Sequence, residues 1–249
     1  MSENNSRSVK SAPHTTVLKE YFALYLREVR GLTQSSINHY FDALNNISSR
    51  LKEKGLVARD IYEIGDIDTL EHMRLVIYND PQFIDLNNRG GRMYSAGFNN
   101  YVRFAKGKGF LKEKDKILLL DIPIPMKSAI SIDHNIWKRS GIMRVQALEY
   151  AGYKCEIDVN HESFIAQRTK KDYMEGHHAV PLRHQVNFEN SLDVYANIIC
   201  LCPVCHRRIH FGLNEDRLYM MNQIYEKRLR RLLNSGIKLS KGEFSEMIF

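Results

Sequence analysis

Residues 175–210, EGHHAVPLRHQVNFENSLDVYANIICLCPVCHRRIH, decide the fold of this chain. In order, this stretch contains His177, His178, Asn197, Cys202, Cys205, His206 and His210. A packed core favours side chains that carry no lone pairs, so a structural role does not explain this many imidazoles. Metal-assisted hydrolysis does explain them, because a metal polarises a phosphoryl oxygen while a free imidazole accepts the proton near neutral pH.

The pattern around these residues predicts a hairpin followed by a helix. Strand alternation places His177 and His178 on opposite faces, so that one can bind a metal while its neighbour faces water. Asn197 lies in an apolar segment typical of the returning strand. His206 and His210 are four residues apart and share one face of the following helix. We therefore expect the hairpin and the helix to enclose a metal.

Composition narrows the class of protein. The chain has 249 residues, a formal charge of +7 and a pI of about 9.1, which favours an anionic partner. The first sixteen residues lack the apolar stretch of a signal peptide, and no run approaches the roughly 20 apolar residues that span a bilayer. We expect a cytoplasmic protein without membrane contact. The four cysteines (Cys155, Cys200, Cys202 and Cys205) then favour metal binding over disulfides.

Apolar spacing and breakers predict the domain organisation. Apolar residues at steps of three and four indicate helices over 17–29 and from Thr33, an N-cap, to Gly55. Two more helices follow, and the segment 87–92 between them is predicted to be a loop. We divide the chain into a disordered tail (1–15), a helical, DNA-binding domain (16–110), a linker (111–135) and a second domain with a basic helical tail (136–249).

The chemistry-bearing residues resemble the HNH, or ββα-metal, nuclease motif in its McrA-like restriction endonuclease form. EGHHAVPL, Asn197 and LCPVCHRRIHFG carry the resemblance, including the nine-residue step from Asn197 to His206. It implies a zinc-stabilised ββα-metal nuclease domain, and with the all-helical N-terminal bundle predicted from apolar spacing the fold class is α+β. It also implies that His178 is the general base, that Asn197 braces the hairpin loop, and that His177, His206 and His210 bind the catalytic ion.

A structural zinc is the second expected metal. Cys202 and Cys205 form a half-site at a turn before a helix. McrA-like nucleases supply the other half from an earlier Cys-x-x-Cys, whereas here Cys155 is followed by Asp158 in place of the second cysteine. His161 is the favoured fourth ligand and Asp158 the weaker one, because thiolate and imidazole outrank carboxylate at structural zinc. We expect Cys200 to be a buried strand thiol.

The implied activity is hydrolysis of phosphodiester bonds in double-stranded DNA by a restriction enzyme, of type II or dependent on modification. Imidazole ligands suit Zn²⁺, Ni²⁺, Mn²⁺ or Co²⁺, while Mg²⁺ prefers oxygen, and the sequence leaves the ion open. Cleavage of both strands at a symmetric site would favour a homodimer. The alternatives are a nicking or homing-type HNH endonuclease and a non-catalytic, zinc-stabilised DNA-binding protein.

Arginines outside the metal sites are the predicted DNA contacts. Arginine grips phosphate in a bidentate manner, although each residue could equally belong to an ordinary solvated helix face. The candidates are Arg207 and Arg208 beside the histidine helix, Arg228 and Arg231 in the basic tail, and Arg89 and Arg92 in the N-terminal domain. Residues 25–47 of that domain are similar to the core-binding domain of tyrosine recombinases, which grips DNA.

Overall fold

The computed structural model describes residues 17–125 and 140–247. The predicted tail at 1–15 and part of the predicted linker, 126–135, lie outside the described residues. The helices are α1 Val17–Leu24, α2 Gln34–Glu53, α3 Ile67–Tyr78, α4 Pro81–Arg89, α5 Met93–Ala105, α6 Lys114–Ile117, α7 Gly141–Ala151, α8 Pro203–Phe211, α9 Asn214–Asn234 and α10 Lys241–Glu246. Strands β1 Glu175–His178 and β2 Ile198–Leu201 form the sheet.

The N-terminal bundle is built around the packing of α2 against α5. Thr33 caps α2 by accepting a hydrogen bond from the amide of Ser36, which confirms the predicted N-cap. Gly97 of α5 lies against Ala43 of α2 so closely that a β-carbon at Gly97 would stand 2.9 Å from that of Ala43. A larger residue at either position would therefore push the two helices apart.

Helix α4 corrects one prediction. The segment 87–92 was expected to be a loop, but α4 extends to Arg89 before the chain turns at Gly90. The Asp80 side chain accepts hydrogen bonds from the amides of Gln82 and Phe83, and Pro81 occupies the first turn, where its missing amide proton costs nothing. Asp80 and Pro81 therefore mark the start of α4 as well as the break after α3.

The centre of the C-terminal part (residues 140–247) is a hairpin between two helices. Strands β1 and β2 are antiparallel, with His177 opposite Ile199 and His178 opposite Ile198. Helix α8 covers the β1 face that carries His177, and α7 covers the opposite face at Gly176 and His178. A β-carbon at Gly176 would lie 2.5 Å from Cγ of Arg144, so only glycine leaves room for the stem of that arginine.

The interior is continuous between the N-terminal bundle and the C-terminal part. The Tyr21 and Tyr195 rings lie 4.4 Å apart, and the Tyr195 hydroxyl donates to Oε1 of Gln146 at 2.7 Å. Nε2 of Gln146 in turn donates to the Phe104 carbonyl at 2.6 Å. The α+β fold class, with a helical bundle before a small ββα unit, is confirmed, whereas the proposed domain boundaries stay a prediction. In the described ranges, no helix has both the length and the apolar character needed to cross a membrane.

Candidate active site and metal centres

Three imidazoles meet between β1 and α8. The rings of His177, His206 and His210 lie with centroids 4.9 to 5.2 Å apart, each pair inclined at 70° to 72°. Their ligating nitrogens all lie within 4.8 Å of one another, and Nε2 of His206 is 3.3 Å from Nε2 of His210. The fold thus brings the three predicted ligands to one point, which we call the imidazole triad.

Glu175 supports the triad from behind. Nδ1 of His206 donates to Oε2 of Glu175, which leaves Nε2 free to face the other two rings. The Tyr173 hydroxyl donates to the second oxygen at 3.2 Å. Burial opposes ionisation of Glu175, but the hydrogen bonds from His206 and Tyr173 contribute to lowering the pKa of this carboxyl. Carboxylate partners of this kind fix the tautomer and direction of a metal-binding imidazole.

His178 turns to the other face of β1, where it meets Asp193. Its Nε2 lies 2.8 Å from Oδ1 of Asp193, and the His178 side chain is 13% exposed. The other oxygen of Asp193 accepts a hydrogen bond from the amide of Ser140 at 3.0 Å. With Nε2 bound to a carboxylate, Nδ1 is the nitrogen of His178 that remains for a water molecule. Sequence reasoning missed Asp193, which is one of two carboxylates, with Glu189, between the paired histidines and Asn197.

Asn197 is fully buried and holds the hairpin loop closed. Its Oδ1 accepts from the amide of Val180 at 2.7 Å, and its Nδ2 donates to the carbonyls of Val180 and Leu192 at 2.8 Å. These hydrogen bonds connect the start of β2 to the loop after β1 and keep Asn197 away from solvent, while the bracing role that the resemblance implied stays a prediction.

A second cluster brings together Cys155, Cys202, Cys205 and His161, whose ligating atoms lie within 4.8 Å of one another. Nδ1 of His161 is 3.3 Å from Sγ of Cys205, while its Nε2 lies 3.8 Å from the Asp158 carboxylate. Of the two candidates for the fourth position, His161 therefore points into the cluster and Asp158 lies behind it. Cys200 is fully buried in β2, and burial raises its pKa.

The imidazole triad and His178 line one cleft of about 990 Å³. The cleft extends from α8 past β1 and α7 to the ends of α3 and α5 in the helical bundle. Its basic lining residues are Lys106, Lys108, Arg144, Arg168, Arg183 and Arg217. Arg144, Arg168 and Arg183 were not among the predicted DNA contacts, because their convergence on the cleft depends on the packing of the bundle against the hairpin.

Two of the predicted DNA contacts are corrected by the structure. Arg228 is only 4% exposed, and its guanidinium binds both oxygens of Glu156 at 2.5 and 2.7 Å. Arg231 forms a bidentate pair with the Asp121 carboxylate at 2.6 and 2.9 Å. Both guanidinium groups are thus committed to interior carboxylates, so the prediction that Arg228 and Arg231 contact DNA is wrong. The basic spacing of α9 resembled an exposed stripe because the acidic partners are distant in sequence.

Substitution of Arg228 with alanine is expected to lower the free energy of unfolding by about 2 to 4 kcal/mol, since it leaves the partly buried Glu156 carboxylate without its partner. The same change removes the hydrogen bonds to the carbonyls of Tyr195 and Ala196, next to Asn197. Urea denaturation measures the effect. The matched control is Arg230→Ala, an exposed position on the same helix, where a change below about 0.5 kcal/mol is expected. Equal losses in the two variants would contradict a stabilising role for the interior pair.

The remaining predicted contacts are exposed and outside the lining of the cleft. Arg207 lies over the ring of Phe211, and Arg208 pairs with Asp216 at 2.5 Å. Arg89 pairs with a neighbouring carboxylate at the end of α4, and Arg92 begins α5 in a left-handed conformation with φ 65°. DNA contact by these four arginines stays a prediction.

Residues 155–212 match the family model described as HNH endonuclease. They begin at Cys155 and end just beyond α8, and so contain both clusters of candidate metal ligands, the hairpin and His178. The chain therefore carries an HNH endonuclease domain, as the resemblance implied. The likeness of residues 25–47 to tyrosine recombinases stays a prediction.

A relative of the same region is the type IV methyl-directed restriction enzyme EcoKMcrA of Escherichia coli strain K12. The two sequences are 34% identical over 59 residues, which is 24% of this chain and 20% of that enzyme. The matched part of this chain thus spans about a fifth of the length of the relative. No solved structure gives a significant match.

Proposed function

We propose that this protein is a metal-dependent DNA endonuclease of restriction type. The observation that carries the proposal is that the imidazole triad and His178, which is hydrogen-bonded to Asp193, line one cleft. Phosphodiester hydrolysis needs these two components side by side, one to stabilise charge on the phosphate and one to accept a proton from water. The HNH endonuclease match over the same residues supports this reaction.

The donor set of the triad fits a transition-metal cation. His177, His206 and His210 offer three neutral nitrogens, and Glu175 fixes the ring of His206. Such a set suits Zn²⁺, Ni²⁺, Co²⁺ or Mn²⁺ better than Mg²⁺, which prefers oxygen. When bound, the cation would supply positive charge beside the scissile phosphate and the leaving oxygen.

His178 acts as the general base. The Asp193 carboxylate accepts from Nε2 of His178 and so directs the lone pair of Nδ1 towards the attacking water. Asn197 holds the loop that follows His178 through its three hydrogen bonds to Val180 and Leu192. Proton transfer to Nδ1 leaves an imidazolium that Asp193 stabilises.

The Cys155, His161, Cys202 and Cys205 cluster binds a structural zinc. Its three sulfurs and one nitrogen form a closed set without an open position for substrate, as is typical of structural sites. The Cys202 side chain also accepts from the Cys205 amide and caps α8. The zinc would therefore fix the start of the helix that presents His206 and His210.

The proposed substrate is double-stranded DNA, cut in a type II or modification-dependent manner. The methyl-directed activity named for the Escherichia coli relative motivates the second option. Within the described residues there is one imidazole triad, so one chain cuts one strand, and a homodimer would be needed to cut both strands at a symmetric site.

The test is digestion of methylated and unmethylated plasmid DNA with Mn²⁺, Co²⁺, Ni²⁺, Zn²⁺ and Mg²⁺ supplied in turn. We expect a linear product with at least one transition metal, and loss of cutting after chelation. A relaxed circle as the only product would identify a nicking enzyme instead. Retained DNA binding without cleavage under any of the five metals would overturn the endonuclease proposal and identify a DNA-binding protein.

A further inference from the structure

The carboxylates that line the cleft are all engaged with cationic partners or with a histidine. The pairs are Asp68 with Arg168, Glu71 with Lys106, Glu149 with Lys171, Asp172 with Lys154, and Glu175 with His206. Any cation in this lining that has no carboxylate partner therefore leaves net positive charge facing the cleft.

Arg144 of α7 and Lys108 after α5 are two such cations. Both are exposed and line the cleft, and within the described part of the chain neither forms an ion pair. Arg183 also lines the cleft, but its guanidinium is held by the carbonyl of Met247. Arg144 and Lys108 are thus the cations most available to an anionic ligand.

The Arg144 side chain has a fixed position close to His178, the proposed general base. Its Cγ and Cδ lie where a side chain of Gly176 would otherwise stand, at 2.5 and 3.1 Å from an ideal β-carbon. Side chains two apart on a strand share a face, so Arg144 crosses β1 on the same face as His178. The stem is fixed against the backbone while the guanidinium remains exposed, which reduces the entropy lost on binding a phosphate.

Lys108 reaches the same cleft from the helical bundle. The preceding residue, Gly107, has φ 62° and lies against α7, where an ideal β-carbon would be 3.1 Å from Cα of Gln146 and 3.0 Å from Cβ of Glu149. This close approach fixes the loop after α5 on the helix that carries Arg144. The two cations therefore belong to different parts of the chain but are joined by direct packing.

We propose that Arg144 and Lys108 form a phosphate-binding surface for the DNA backbone next to the scissile bond. The ligand class is a polynucleotide phosphodiester, which presents repeated negative charge along a strand. Both residues lie outside the 155–212 segment that matches the HNH model, so the helical bundle and α7 contribute directly to substrate binding. The inference rests on the proposed function, because it assumes that DNA enters this cleft.

The test measures binding of a fluorescent DNA duplex by anisotropy between 50 and 200 mM NaCl, in a His178→Ala background that prevents cutting. Arg144→Gln and Lys108→Gln each remove one charge, and Arg144→Gln keeps the stem over Gly176. Each is expected to weaken binding about fivefold to tenfold and to reduce the salt slope by about one. The matched control is Arg103→Gln, which removes an exposed charge of α5 outside the cleft and is expected to bind like the parent.

The outcomes separate this inference from the function on which it rests. Binding by Arg144→Gln and Lys108→Gln equal to that of Arg103→Gln would overturn the phosphate surface and leave the endonuclease proposal intact. Failure of the parent to bind any duplex would overturn both. Recovery of affinity in Arg144→Lys, together with an unchanged melting temperature in all variants, would support the surface.

Discussion

Replacement of His178 with alanine is expected to slow phosphodiester cleavage by about two to four orders of magnitude, the usual contribution of a positioned general base. DNA binding and zinc content should be retained, because His178 belongs to neither metal cluster. Single-turnover cleavage of a duplex in the metal that best supports activity measures the loss. The matched control is His184→Ala, which removes an imidazole from the same segment whose ring instead contacts the Met247 carbonyl. Equal rates in the two variants would contradict the assignment of the base.

The Asp193→Asn variant is measured in the same experiment and is expected to have an intermediate rate of cleavage. It removes the charge that orients His178 and should lower kcat about 10- to 100-fold, less than the loss of the ring itself. KM and the melting temperature should change little, since the asparagine can still accept from the Ser140 amide. A loss of kcat without a loss of stability would separate orientation of the base from support of the loop.

Replacement of Cys205 with alanine is expected to abolish zinc binding and unfold the region around the hairpin. Structural zinc contributes about 10 to 16 kcal/mol in small zinc-dependent peptides, and a site with one ligand removed loses much of it. The metal content of the purified protein and its thermal unfolding are the measurements. Cys200→Ala is the control, because it removes a thiol that lies outside the cluster. Full zinc content in Cys205→Ala, or its loss in Cys200→Ala, would contradict the proposed quartet.

The geometry of the imidazole triad was predictable because short-range regularities set it. A pair of adjacent residues on a strand must face opposite ways, and two residues four apart on a helix must share a face. These rules placed His206 with His210 and separated His177 from His178, while the resemblance to the HNH motif assigned His177 to the metal. The bracing role of Asn197 came instead from the resemblance to the HNH motif, since spacing alone does not assign it.

The ion-pair partners of the arginines were not predictable, since they depend on contacts between residues distant in sequence. Arg228 meets Glu156 across 72 residues, and Arg231 meets Asp121 across 110. A basic helix with its acidic partners elsewhere cannot be told from a solvated one by spacing alone. Arg144 was missed for the same reason, because its place beside Gly176 depends on how α7 packs on the hairpin.

The shared interior has a consequence for engineering. Tyr195 of the C-terminal part packs against Tyr21 of α1 and donates a hydrogen bond to Gln146. Gln146 in turn donates a hydrogen bond to the backbone carbonyl of Phe104 in α5. Consider a chimera that keeps the chain from residue 136 onwards and joins it to a foreign N-terminal module. Tyr195 would lose its contact with Tyr21, and Nε2 of Gln146 would lose the Phe104 carbonyl as its hydrogen-bond acceptor. A functional chimera therefore has to keep α1 and α5 together with the HNH domain that packs against them.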